Sequence, residues 1–405
     1  MSLTMRRPIR LSIAPGGTDK SRPQFAEREA RLGAAGVLAA AFAAEAAKHD
    51  RTGRLPRSHF NRLHEAGFLN LTVPAELGGG GAGLGEVVDI IGRIARGDAS
   101  AALVLAMHLL HVASIFRKPT WPRHLAERIA WEILDGPALV NALRVEPELG
   151  SPARGGLPAT VARRTERGWR LDGHKIYSTG STHLAWALVW ARTAEAEPRT
   201  GLFLVPMNAA GLRIEETWNH LGMRATASHD VLLENVLLPA DHAVDIRAPA
   251  DWAGPDPVQT AWNTLTIAAL YDGVARAARD WFVGYARDRR PANLGASLAT
   301  LERFQEAAGE IDGWLAVNRR LIAGAAAEVD ADPASLAAAE AGLIKRTVTD
   351  NAIKVVERAL ELTGNRGLDR TSPLERHYRD VLCSRIHTPQ NDSILVAAGR
   401  AAFGL

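Results

Sequence analysis

Residues 173–180 read Gly-His-Lys-Ile-Tyr-Ser-Thr-Gly, a strand-like run that closes on Ser, Thr and Gly, the chemistry of a turn. Similar short β-prone runs flank it: Leu139 to Leu143, Trp169 to Leu171, Ala187 to Ala191, Leu202 to Val205 and Val231 to Leu233, with Gly- and Pro-bearing turns between them. That spacing predicts an all-β module of about a hundred residues. On either side the texture is helical. Phe25 to His49 is rich in Ala, Glu, Lys and Leu with almost no breaker. Arg57 to Gly67 and Gly85 to Ile115 continue in that style, separated by Val73-Pro74 and the glycine run Gly78 to Gly81. After Pro257, Leu270, Val274, Ala277, Trp281 and Tyr285 form one apolar stripe at helical spacing, and Ile344, Val348, Ala352, Val355, Ala359 and Leu362 form another. The order predicts an α+β fold, mainly α: a poorly ordered leader over 1–24, an N-terminal helical domain over 25–137, a central β-barrel or sandwich domain over 138–247, and a C-terminal helical bundle over 248–405.

The 405 residues carry 48 Lys+Arg against 45 Asp+Glu, a net charge of +3, and the arginines are scattered through helices rather than gathered in a block. A nucleic-acid or membrane-surface role has no electrostatic support. Cys383 is the one cysteine, so a disulfide within the chain and a cysteine-based metal cluster are both excluded. The first 24 residues lack the apolar core of a signal peptide, and no uninterrupted apolar run is read as a membrane span. The expectation is a soluble, cytoplasmic protein.

Five segments in order resemble the acyl-CoA dehydrogenase superfamily: Val73-Pro74 with its glycines and Ile94 to Ser100; Glu146-Pro147-Glu148-Leu149-Gly150-Ser151; Gly173 to Gly180 with Trp186 following; Leu221 to Thr226 with Asn235 to Pro239; and Glu375 to Asp380. The resemblance spans roughly residues 55 to 400 and implies that family's fold, with a four-helix C-terminal bundle, and a flavin cofactor. An isoalloxazine ring needs an aromatic or apolar wall, a hydroxyl or backbone donor near N5 and O4, and small residues where the backbone approaches it. Tyr177, Thr179 and Gly180 supply these in one strand and turn, with Ser178 between them. The resemblance places the Thr179 hydroxyl at flavin N5, turns Glu146 toward the flavin, and gives Gly150 and Ser151 the pyrimidine edge. For the dinucleotide end it points to Arg289 and Arg290, closing a helix from Leu265, and to Gly364 and Gly367 in Glu361-Leu-Thr-Gly-Asn-Arg-Gly367, where the family's Gln is missing. Arg289 and Arg290 also read as cations at a helix C-terminus. FAD is the first expectation; reduced FMN used as a substrate is the alternative.

Dehydrogenases of the family use a Glu after the Tyr-Arg-Asp segment, and counting from Tyr378-Arg379-Asp380 that position is Thr388. Other members carry the Glu on the helix before Gly273; here that stretch begins Asn263-Thr264. Neither is acidic. Ile386-His387-Thr388-Pro389, His108 on its helix and Ala269 to Ala275 resemble instead the flavin-dependent monooxygenases of the superfamily, the dibenzothiophene and sulfone types. In these, reduced flavin reacts with O₂ and histidines donate or shuttle protons. The resemblance makes His387, His108 and Thr179 the catalytic candidates. His108 equally fits a satisfied core position, His111 reads as structural, and Thr388-Pro389 reads locally as an N-cap and first turn of a helix through Ser393 to Ala402. Asp392 is both the nearby carboxylate that could act as a displaced base and an acid suited to a helix first turn.

Three functions follow: an oxygen-dependent flavin monooxygenase, an acyl-CoA dehydrogenase with a displaced base, and a non-catalytic flavin-binding relative. The partners implied are a small-molecule or acyl-CoA-like substrate, a separate flavin reductase, and further copies of the chain in a dimer or tetramer.

Overall fold

Caps and breakers cut the helical sequence into its elements. The computed structural model describes residues 28–149, 156–252 and 256–405; the leader, Gly150 and Ser151 lie outside them. The first helices are α1 (Arg28–Thr52), α2 (Arg57–Glu65), α3 (Leu84–Gly97), α4 (Ala99–Arg117) and α5 (Arg123–Asp135). Asp98 separates α3 from α4 and caps the latter, its side chain accepting from the Ala101 amide at 3.1 Å. Against expectation, α1 and α4 are long and apolar enough to pass for membrane spans, but 78% of the α4 window is buried inside the protein. An apolar helix buried on all sides is what a core helix requires.

Residues 139–247 form eight strands: β1 (Leu139–Leu143), β2 (Val161–Thr165), β3 (Gly168–Ser178), β4 (Leu184–Thr193), β5 (Thr200–Pro206), β6 (Leu212–Glu215), β7 (His229–Pro239) and β8 (Ala243–Arg247). They make one mixed sheet in the order β6-β7-β3-β2-β4-β5-β8, with β1 also paired to β4, parallel to it. The long antiparallel pair β3 and β7 slips register between Lys175 and Ser178, one residue before the turn. This bulge re-aims the strand end.

Beyond it lie α6 (Pro257–Asp288), α7 (Glu302–Ala331), α8 (Ala338–Thr363), the single turn α9 (Asn365–Leu368), α10 (Pro373–Leu382) and α11 (Asn391–Phe403). Three long helices pack together, and α10 and α11 close the bundle against α8. The α6 stripe drifts as it runs: Leu270 and Val274 are buried, but further on Ala278, Phe282 and Ala286 face the core while Trp281 and Tyr285 stack side by side on a half-exposed face. Gly273 lets α6 cross α3 closely; a Cβ there would lie 2.4 Å from the Gly92 carbonyl oxygen. One apolar core runs through all three parts.

Candidate active site

The β3 bulge builds the first half of the site. Tyr177 takes φ +55°, and its ring stands exposed, edge-on to Trp218 and His220, which stack on each other 3.7 Å apart. Gly180, at φ +80°, closes the turn by donating its amide to the Thr226 carbonyl at 2.8 Å. Between them the Thr179 and Ser228 hydroxyls meet at 3.0 Å, Ser228 meets Thr226 at 2.8 Å, and the Thr226 hydroxyl donates to the Met223 carbonyl at 2.9 Å. Asn141 of β1 fixes the turn from below, donating to the Thr179 carbonyl at 2.9 Å. Ser178 Oγ on this segment and His220 Nδ1 beside Tyr177 are buried without a hydrogen-bond partner among the described residues. An aromatic wall, a line of hydroxyls and two unspent polar atoms beside a glycine turn fit the needs of an isoalloxazine ring.

The second half is built where α6 meets the segment before α11. Tyr271, fully buried on α6, lies 2.8 Å through its hydroxyl from His387 Nδ1. Burial drives the Tyr271 pKa well above 10, with Cys383 and Asp380 adding to the effect. The phenol therefore keeps its proton and can donate it to Nδ1, the arrangement that carries the imidazole proton on Nε2. Burial, with Lys345 nearby, lowers His387 to about 4, so the ring is neutral at physiological pH. Lys345 is buried on α8 and donates to three carbonyls of this segment, Ser384 at 3.1 Å, His387 at 3.0 Å and Pro389 at 3.0 Å. Burial lowers it to about 8. Asn263 donates to the Thr388 carbonyl at 2.8 Å. The two positions singled out by resemblance as possible homes of the base thus touch each other, and both are uncharged.

α10 joins the halves. Asp380 accepts from the Met223 amide at 2.7 Å, and Arg379 holds the Leu221 carbonyl at 3.0 Å while pairing with Asp50 at 2.7 Å and Glu375 at 2.8 Å. Burial raises Asp380 to about 7 against the pull of the Met223 amide and Arg376.

Several sequence-based assignments are relocated. Glu146 does not look outward; it is buried, bonded to Lys175 Nζ at 2.6 Å, to the Thr160 hydroxyl at 2.6 Å and to the amides of Ala159 and Thr160. His108 is fully buried with both ring nitrogens on the main chain, Nε2 2.7 Å from the Leu69 carbonyl and Nδ1 accepting from the Val140 amide at 3.0 Å. Nothing is left on it for a reacting group. Asp392 is exposed in the first turn of α11, one oxygen of its carboxylate accepting from the Ser393 amide at 2.8 Å. That helix opens at Asn391 after Gln390, not at Thr388-Pro389. Arg289 lies in a groove of about 480 Å³ with Arg366, Trp281 and Tyr285; Arg290 is exposed just past the end of α6. Gly364 ends α8 at φ +53° and Gly367 lies in α9 beside Arg366. Sequence reading missed Lys345, hidden in an apolar helix stripe, and the role of Asn141; the one available signal was a polar residue inside each apolar run.

Comparison with known proteins agrees with this architecture. Models of the acyl-CoA dehydrogenase N-terminal, middle and C-terminal domains match residues 26–120, 144–236 and 265–391. The putative acyl-CoA dehydrogenase YdbM of Bacillus subtilis is 35% identical over 370 residues, 91% of this chain and 95% of the relative. L-evernosamine nitrososynthase of a Micromonospora species is 31% identical over 387 residues, 89% of this chain and 87% of that one. The solved structure of KijD3 with FMN and dTDP-3-amino-2,3,6-trideoxy-4-keto-3-methyl-D-glucose is 27% identical, with a TM-score of 0.82 over 95% of each chain. Fold, site and sequence likeness together place this chain in the acyl-CoA dehydrogenase family.

Proposed function

We propose that the protein is a flavin-dependent monooxygenase that uses reduced flavin and O₂. The observation that carries this reading is His387, half-buried, neutral and aligned by Tyr271, next to an Asn263–Thr388 contact where a dehydrogenase would need a carboxylate. The names of two relatives support it: a nitrososynthase, and KijD3 with FMN and an amino sugar. Amine-bearing small molecules are accordingly the first substrates to test. Tyr177, Ser178, Thr179 and Gly180 would hold the ring, and the Arg289–Arg366 groove suits the phosphates of FAD; FMN is the alternative. When bound, the reduced flavin supplies two electrons to O₂, one oxygen atom passing to substrate and the other leaving as water.

The chain's own part is to hold protons and exclude solvent. Tyr271 fixes the His387 tautomer so that Nε2–H is the donor presented to the site. Lys345 clamps the carbonyls on either side of His387, so the ring is aimed by a rigid segment. The hydroxyl line from Thr179 to Thr226 orders the turn that would hold the ring.

Replacing His387 by Phe keeps bulk and removes the donor. Product formation should fall by about 10² to 10⁴, while flavin affinity stays within a few-fold. Rapid mixing of the reduced holoprotein with O₂ should show a transient near-ultraviolet species in wild type and a shorter-lived one in the variant; indistinguishable reoxidation without a transient would end the proposal. A second reading, acyl-CoA dehydrogenation, has YdbM in its favour. It predicts anaerobic bleaching by butyryl- to palmitoyl-CoA, which the monooxygenase reading predicts to be negligible in wild type and gained, if anywhere, in Thr388→Glu.

A further inference from the structure

Away from the flavin segment, α1, α2 and the start of α4 bring together side chains that have donors and acceptors with nothing to bond. Glu45 and His49 stand one turn apart on α1, and His59 comes from α2. One ligand atom from each lies within 4.8 Å of the other two. His49 Nε2 is 3.6 Å from Glu45 Oε2, and His59 Nε2 is 4.0 Å from Glu45 Oε1. These gaps are too long for direct hydrogen bonds. They are close to the separation of about 3.4 Å between neighbouring ligands on a tetrahedral ion with bonds near 2.1 Å.

Burial sharpens the point. His59 is 0% exposed and, among the described residues, neither of its ring nitrogens has a hydrogen-bond partner; His49 Nε2, on a side chain 11% exposed, has none there either. Native proteins pair nearly all such atoms. Phe42 stacks on the His59 ring at 3.9 Å and fixes its plane. Behind His59, Asp98 Oδ2 is 3.6 Å from Nδ1 and also without a partner, Oδ1 being committed to the α4 cap. A carboxylate behind the imidazole nitrogen that does not face the ion is how metal-bound histidines are oriented.

We propose that Glu45, His49 and His59 bind a divalent transition-metal ion of the Zn²⁺ type. Water from the half-exposed Glu45 side completes the shell, and Asp98 positions His59. The carboxylates of Glu45 and Asp98 balance the ion's two charges, while Arg62, 5.4 Å from the Phe42 ring centre, weakens the site. The ion clips α2 to α1 and, through Asp98, to the first turn of α4. Its role is structural, independent of flavin chemistry.

The test uses the untagged full-length protein, stripped with chelator and titrated with Co²⁺ and then Zn²⁺. One equivalent of Co²⁺ should produce the visible bands of a tetrahedral ion, Zn²⁺ should abolish them, and the melting temperature should rise with either. Glu45→Gln, at a half-exposed position, and His49→Gln, at a nearly buried one, should each lose the bands with the far-ultraviolet circular dichroism unchanged. Asp98→Asn should weaken Co²⁺ affinity by about 10- to 100-fold. Absence of bands and of retained metal after dialysis in wild type overturns the proposal, as does binding that persists in both the Glu45→Gln and the His49→Gln variants.

Discussion

Lys175 and Glu146 show what a single residue can hide. Burial alone would raise the Glu146 pKa, but the bonds from Lys175 and Thr160 outweigh it and bring the carboxyl below its usual range. The Lys175 ammonium also donates to the Trp190 carbonyl at 2.6 Å, so this fully buried cation bonds both a carboxylate and a carbonyl. Lys175→Met strips the carboxylate of its partner and should destabilise the fold by about 3–5 kcal/mol, measured by chemical denaturation. Double replacement, Lys175→Met with Glu146→Leu, should recover much of that loss. The motif around Glu146 was legible as a family mark, yet its direction was not: which way a strand residue faces depends on register, and the partner lies 29 positions away. His108 teaches the same lesson, since its partners Leu69 and Val140 sit on other elements.

Helices and strands were legible wherever period and breakers agreed, as in the α8 stripe; α6 begins eight residues before the expected Leu265, at Pro257, where Asp256 caps it by accepting from the Gln259 amide at 3.0 Å. The start of α11 was not. Thr388-Pro389 has the local grammar of a cap, but the Lys345 grip on the His387 and Pro389 carbonyls and the Asn263 bond to Thr388 take this stretch for the site. Tertiary contacts won over local preference. The α3–α6 crossing carries its own prediction. Gly273→Ala pushes a methyl into the Gly92 carbonyl, and should cost about 1–3 kcal/mol as the helices separate. Because Tyr271 is two residues away, flavin-supported turnover should fall more than stability, which parallel assays of melting and activity would show.

For the molecule as a whole, acid is the weak side. Burial lowers His59, His108 and His387 to about 4, and His111 and His377 to about 3. An unfolded histidine titrates near 6.5. As pH falls below that value the unfolded chain takes up protons that the native one refuses until about 4, so stability is lost across this window. Asp98, Asp272 and Asp380, all raised by burial, act in the opposite sense. The histidines prevail, since His183, His220 and His229 are lowered by burial as well: unfolding at pH 5 should take up protons, and the urea midpoint should drop from pH 7 to pH 5 at fixed ionic strength. Assembly is a second whole-molecule expectation. The α11 helix leaves Leu395, Val396 and Phe403 exposed, apolar surface that another copy would cover, and light scattering should find a dimer or tetramer; a flavin-loaded monomer at micromolar concentration would refute this. The ion pair of Arg379 with Asp50 adds a consequence for biosynthesis, because its partners are 329 residues apart in the chain. At ribosomal rates of 5–20 residues per second, the end of α1 waits roughly 16–66 s for its counter-charge to be made. Through that interval Asp50 has no α10 to hold it, and the 221–223 loop waits likewise once it is made, so the candidate site can be assembled only after synthesis is all but complete, and nascent chains stalled before Pro373 should be captured by chaperones without flavin.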